Sequence, residues 1–171
     1  MKSLLTSMVS LRWLNEKIFA MVLICVGGIL IGGKSYAQEF SITKVGAPGP
    51  VLVLSNSNTS PGVGLTSFTV FTSDIPQGTL IVPKQLLEIQ WRTTYYPDSV
   101  SQRVQFCYYR PYSSQENCVD IGSGSSGTIY DFNNQSFDHG ARVTIKHYVL
   151  GGVPPYTRPA GADSVTFRYR Y

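Results

Sequence analysis

The stretch GGVPPYTRPAGADSVTFRYRY (Gly151–Tyr171) ends in seven residues that alternate apolar and polar side chains. Val165, Phe167, Tyr169 and Tyr171 share one parity, and Thr166, Arg168 and Arg170 share the other. A two-residue period is that of a half-buried strand, because successive side chains leave a strand on opposite faces. The expectation is that Val165, Phe167 and Tyr169 point into a core and that the strand closes the domain's own sheet. Its arginine face, Arg168 and Arg170, is with Tyr156 and Arg158 the candidate contact for a partner.

Upstream the same kind of segment recurs. FSITKV (Phe40–Val45), VLVLS (Val51–Ser55), SFTVFT (Ser67–Thr72), RVQFCYYR (Arg103–Arg110), CVDIG (Cys118–Gly122), TIYDF (Thr128–Phe132) and RVTIKHYVL (Arg142–Leu150) are rich in β-branched and aromatic residues. Gly, Pro, Asn and Ser separate them, as turns require. In LLEIQWRTTYY (Leu86–Tyr96) the residues Leu87, Ile89, Trp91 and Thr93 share a face opposite Glu88, Gln90 and Arg92. That is the clearest half-buried strand, and Trp91 is read as a core anchor. No stretch has a helical period. Eight or nine short strands predict an all-β fold, a single antiparallel sandwich or small barrel-like domain.

The beginning reads differently. Lys2, Arg12 and Lys17 precede an apolar run from Ile18 to Ile31, and Ser35 and Ala37 present a small-x-small site. This is the pattern of a secretory signal cleaved after Ala37, so the expected domains are residues 1–37 as leader and 38–171 as the mature sandwich. The competing reading is a retained anchor. The run is shorter than the ~20 residues that span a bilayer, and the Lys34 flank favours cleavage. Four of the 14 Lys+Arg and one of the 10 Asp+Glu lie before Gln38. The remaining ten and nine leave a net charge of +1, so the basic balance belongs to the leader and gives no support for nucleic-acid binding. Of three cysteines, Cys25 lies in the leader, and Cys107 and Cys118 remain. In an oxidising compartment such a pair is most simply one disulfide.

Catalytic machinery is not legible. The two histidines, His139 and His147, lie apart without ligand spacing, which argues against a metal site. His147 shares the apolar face of Val143, Ile145 and Val149, where a packed or hydrogen-bonded histidine is the ordinary reading. Asp138–His139 reads as exposed turn chemistry. GSGSSG (Gly122–Gly127) has no lysine and no following helix, so it is not a phosphate loop. The expectation is a non-enzymatic protein with no cofactor. Ten tyrosines follow the leader, among them Tyr95, Tyr96, Tyr108, Tyr109, Tyr112 and Tyr148. Tyrosine with arginine is enriched at protein interfaces, and β-propensity alone produces the same enrichment.

Read in order, RVQFC, CVDIGSGSSGT, the basic-apolar strand at Arg142–Leu150, LGGVPPYTRP and SVTFRYR resemble the C-terminal half of the FlhE family, periplasmic proteins of enterobacterial flagellar systems. The resemblance covers roughly Leu87 to Arg170 and includes Trp91 before Arg92, the cysteine pair, Gly127–Thr128, Gly151–Gly152 with Tyr156 and Pro159, and Val165, Tyr169 and Arg170. The loop between the cysteines and the leader are longer here, and Gln38 to Lys84 aligns loosely. The resemblance implies a periplasmic, non-enzymatic flagellar accessory protein that limits proton leakage through, or regulates secretion by, the export gate. Its implied partner is a component of the gate or of the rod and hook, with no nucleic acid and no stable membrane span after cleavage. No catalytic residue is carried over. The alternative is a fimbrial subunit or adhesin module that completes its fold with a neighbour's strand; an inhibitor of cell-wall hydrolases has no motif to support it.

Overall fold

The structure, a computed structural model, describes residues 38–55 and 59–171. The leader expected over 1–37, and its cleavage site, lie outside them. Eleven strands follow in chain order: β1 (Glu39–Gly46), β2 (Val51–Leu52), β3 (Gly62–Thr69), β4 (Lys84–Arg92), β5 (Ser101–Tyr109), β6 (Glu116–Ile121), β7 (Ser126–Ile129), β8 (Ser136–Phe137), β9 (Arg142–Leu150), β10 (Tyr156–Thr157) and β11 (Asp163–Arg170). Among the described residues there is no α-helix, only a 3-10 turn at Thr72–Asp74.

Two antiparallel sheets carry the fold. The first has the order β1-β11-β4-β7, with β8 also paired to β4, and the second has the order β3-β9-β5-β6. β10 and β2 form a two-stranded ribbon beside them. One apolar core joins the inner faces. The first sheet supplies Ile42, Leu86, Ile89, Val165, Phe167 and Tyr169, and the second supplies Phe68, Val104, Phe106, Tyr108, Val143 and Ile145. Phe137 tilts against both Phe167 and Tyr169 at centroid distances of 5.6 and 5.1 Å. The architecture is an all-β sandwich.

The terminal strand does close its own sheet. β11 pairs with β1 from Glu39↔Arg170 to Gly46↔Asp163, and on its other edge with β4 from Ser164↔Arg92 to Arg170↔Gln85. It is therefore a central strand, and Val165, Phe167 and Tyr169 are buried. Tyr171 is half-buried beside them, stacked on Phe40.

Two details of β4 differ from the simple alternation. The register shifts between Arg168 and Tyr169, so that Arg168 faces Glu88 and Tyr169 faces Leu86. Leu87 is the extra residue of a bulge, which turns Leu86 rather than Leu87 into the core beside Ile89. Trp91 is only partly buried at the rim of the core, where its indole lies across Gly127 of β7. A Cβ at residue 127 would stand 2.9 Å from Trp91 Cζ2, so the glycine is what admits the ring.

Cys107 and Cys118 are direct cross-strand partners in β5 and β6 and form a disulfide on the outer face of the second sheet. Two further residue pairs separate it from the connecting loop.

Candidate functional site

The four residues read as a partner contact fall into two places. Arg168 and Arg170 occupy the outward parity near the end of β11. Tyr156 pairs with Leu52 in the ribbon, both exposed, and Arg158 follows it. The segment after Arg158 is tied to the other end of β11, because the Ala160 N–H donates to the Tyr95 carbonyl and Ser164 faces Arg92. At about 3.4 Å per residue, Asp163 stands about 17 Å from Arg168 and about 24 Å from Arg170. Tyr156 and Arg158 therefore do not join Arg168 and Arg170 in one patch.

The arginine face is also less positive than the alternation suggests. Arg168 donates to Glu88 at 2.8 Å and to Glu39 at 2.9 Å, and Arg170 donates twice to the Gln85 amide oxygen. Two carboxylates offset two guanidinium groups. A barrier to proton entry raised by bare positive charge on this face does not follow from that arrangement. The hydrogen bond from Gln90, followed by that from Arg168, holds the Glu88 carboxyl below its usual range.

The outer face of the second sheet is a ladder of tyrosine and charge. Arg142 lies over the Tyr109 ring at 4.2 Å, the Tyr109 hydroxyl donates to Glu116 at 2.5 Å, and Lys146 donates to the same carboxylate at 2.7 Å. Towards the start of β5, on the same face, Arg103 reaches Asp120 and lies over Tyr148. Among the described residues Cys107, Cys118 and Glu116 stand as close together as the ligands of a metal ion would, but the two sulfurs are joined to each other.

Sequence reasoning does not single out the buried polar centre. His147 of β9 points between the sheets, and its Nε2 lies 3.0 Å from Asp163 Oδ2. Thr66 Oγ1 donates to the same oxygen at 2.8 Å, and the Thr94 N–H donates to Oδ1 at 2.8 Å. Both His147 and Asp163 are 0% exposed, so no solvent-borne molecule reaches the pair. Tyr96 meets the imidazole edge-on and donates its hydroxyl to the Gly49 carbonyl at 2.6 Å. Burial first, and the Asp163 carboxylate second, push the Tyr96 phenol up to about 12. The centre ties four segments together across the sandwich. The Asp138–His139 pair is likewise more than a turn: the ammonium of Lys84, with its side chain 0% exposed, lies 3.1 Å from Asp138 and donates to the carbonyls of Thr79 and Val82.

No protein-family model matches the chain, and no curated protein matches it. Among solved structures the chain is similar to the crystal structure of FlhE, at 19% identity over 79% of this chain and 100% of that one, with a TM-score of 0.47. It is also similar to the structure of Mud crab tombus-like virus, at 9% identity over 87% and 96% with a TM-score of 0.32. A third match is Desmodium yellow mottle tymovirus, at 11% over 82% and 91% with a TM-score of 0.34. FlhE, the family that the sequence resembles, is thus met again among solved structures. At these identities and TM-scores none of the three assigns the chain a role.

Proposed function

We propose that this protein is a non-enzymatic periplasmic accessory protein of the flagellar export system, acting by protein contact to limit proton leakage through the gate or to keep secretion orderly. The observation that carries the reading is the ordered set of motifs from Leu87 to Arg170 that resembles the FlhE family. Those motifs occupy positions that the fold depends on. Gly127 admits Trp91, and the cysteines staple β5 to β6. Gly152 has φ +129°, with the Asp98 carbonyl 2.5 Å from where a Cβ would stand. The disulfide suits an oxidising compartment.

The strand-complementation alternative draws no support from β11, which is paired along both edges by the chain's own strands. A subunit waiting for a donor strand needs an open groove at such a place.

The test is a deletion of the gene in a flagellated host, with export followed by the rod and hook subunits reaching the culture medium. The reading expects the protein in the periplasmic fraction and mistimed export in its absence. A cytoplasmic location, or unchanged export together with an unchanged proton leak, would overturn it.

A further inference from the structure

A cleft of about 480 Å³ opens where the outer face of the first sheet meets the loops at its end. Its floor is a row of cross-strand neighbours, Val45, Ser164 and Arg92 on β1, β11 and β4. Its walls are Thr94–Tyr95, Gly124 and the Ala160–Ala162 turn. Arg92 is exposed and, among the described residues, has no hydrogen-bond or ion-pair partner, unlike Arg168, Arg103 and Lys146. The hydroxyls of Thr94 and Ser164 are likewise without a partner among the described residues. Tyr95 is 48% exposed, with its ring packed against Gly124 at 3.2 Å from where a Cβ would stand, so that the ring is backed on one side and open on the other.

Each of these features points to one kind of ligand. A free guanidinium recognises a planar anion, above all a carboxylate held by two parallel hydrogen bonds. Unsatisfied hydroxyls both donate and accept, which matches a hydroxylated body. An aromatic ring backed by protein offers a flat apolar surface to the C–H face of a sugar. An extended peptide is the less suited occupant, because the strands under the cleft are joined edge to edge from Val45↔Ser164 through Ser164↔Arg92 to Arg92↔Ser126. The one unpaired edge that reaches the cleft is the outer edge of β1 beside Val45, while the main-chain groups of Ser164 and Arg92 at the middle of the floor are taken by neighbouring strands. We propose that this cleft binds an acidic saccharide, with the sugar ring against Tyr95, its carboxylate on Arg92 and its hydroxyls on Thr94 and Ser164.

The test uses protein purified after expression of the full gene, with amide and arginine side-chain NMR signals followed as probes are added. Glucuronate and N-acetylmuramate are the acidic sugars; glucose, acetate and the tripeptide Ala-Ala-Ala are the controls. The cleft predicts saturable shifts at Arg92, Thr94, Tyr95 and Ser164 with at least one acidic sugar, and at least tenfold weaker binding of every control. Arg92→Gln should weaken the sugar acid tenfold or more, while Arg158→Gln, which changes an unpartnered arginine outside the cleft lining, binds as the parent does. Three results would overturn the proposal: no saturable shift with either acidic sugar, binding indifferent to Arg92→Gln, or a control that matches the sugar acids. Saccharide binding stands or falls independently of the flagellar reading, which is tested in cells by export and proton leak.

Discussion

Asp163 stands two residues before Val165, at the inward parity of the same strand. The alternation that marks β11 therefore already marks this carboxyl as buried, and the parity of His147 with Val143 and Ile145 marks its partner. What the sequence does not show is that the two meet, since they stand sixteen positions apart with a crossover between sheets in between. Asp163 accepts from Thr66, from the Thr94 N–H and at His147 Nε2, and removing it leaves buried donors without acceptors. Asp163→Ala should cost about 3–5 kcal/mol, read as a lower urea midpoint. A loss under about 1 kcal/mol would mean that the centre is not what ties the sheets together. Trp91 illustrates the converse: its parity with Ile89 is legible, but its place at the rim is decided by Gly127, a cross-strand neighbour 36 positions away in the sequence.

At the scale of elements, β9 spans the stretch read for it, Arg142–Leu150, and β11 lies where alternation places it. β4 is half legible. Leu86 and Leu87 are both apolar, so pattern alone does not choose between them, and the bulge does. The VLVLS segment alternates well, with Val51 and Val53 buried, yet forms only a two-residue strand. Its partner β10 is hemmed by Pro154, Pro155 and Pro159, which have no N–H to donate to a ladder. The disulfide has its own consequence. It closes a short loop between neighbouring strands, and opening such a loop costs about 3 kcal/mol in the chain-entropy view. The Cys107→Ala, Cys118→Ala pair should therefore lower the urea midpoint yet keep the far-ultraviolet spectrum of the sheets. Loss of the sheet signal would show that the staple is needed to form the second sheet at all.

For the whole molecule, charge matters more through paired groups than through net balance. At Asp138, burial would by itself raise the carboxyl, but the hydrogen bonds from His139 and Lys84 outweigh it and hold the group below 3.8. At Asp74, burial is likewise outweighed, here by Lys44 and the Phe71 N–H. A carboxyl lowered in the folded state adds stability above its unfolded value, and that stability is lost as pH falls through the folded one. The urea midpoint should hold from pH 7 to about 5 and fall below about 4, where free aspartate protonates. Asp138→Asn should flatten part of that fall; an unchanged acid limb would remove Asp138 from the explanation.

The sandwich and its closing strand follow from local alternation, whereas a partner surface is a matter of which strand ends meet, and that lies beyond local pattern. Composition groups Tyr156 and Arg158 with Arg168 and Arg170, and the length of β11 separates them. The central claim, an accessory role at the flagellar export gate, is tested most directly by cytoplasmic pH after an external acid pulse. The comparison is between flagellated cells with and without the gene, each with the export gate present or deleted. The account predicts faster acidification without the gene, abolished when the gate is also missing. Identical traces in all four strains would contradict it.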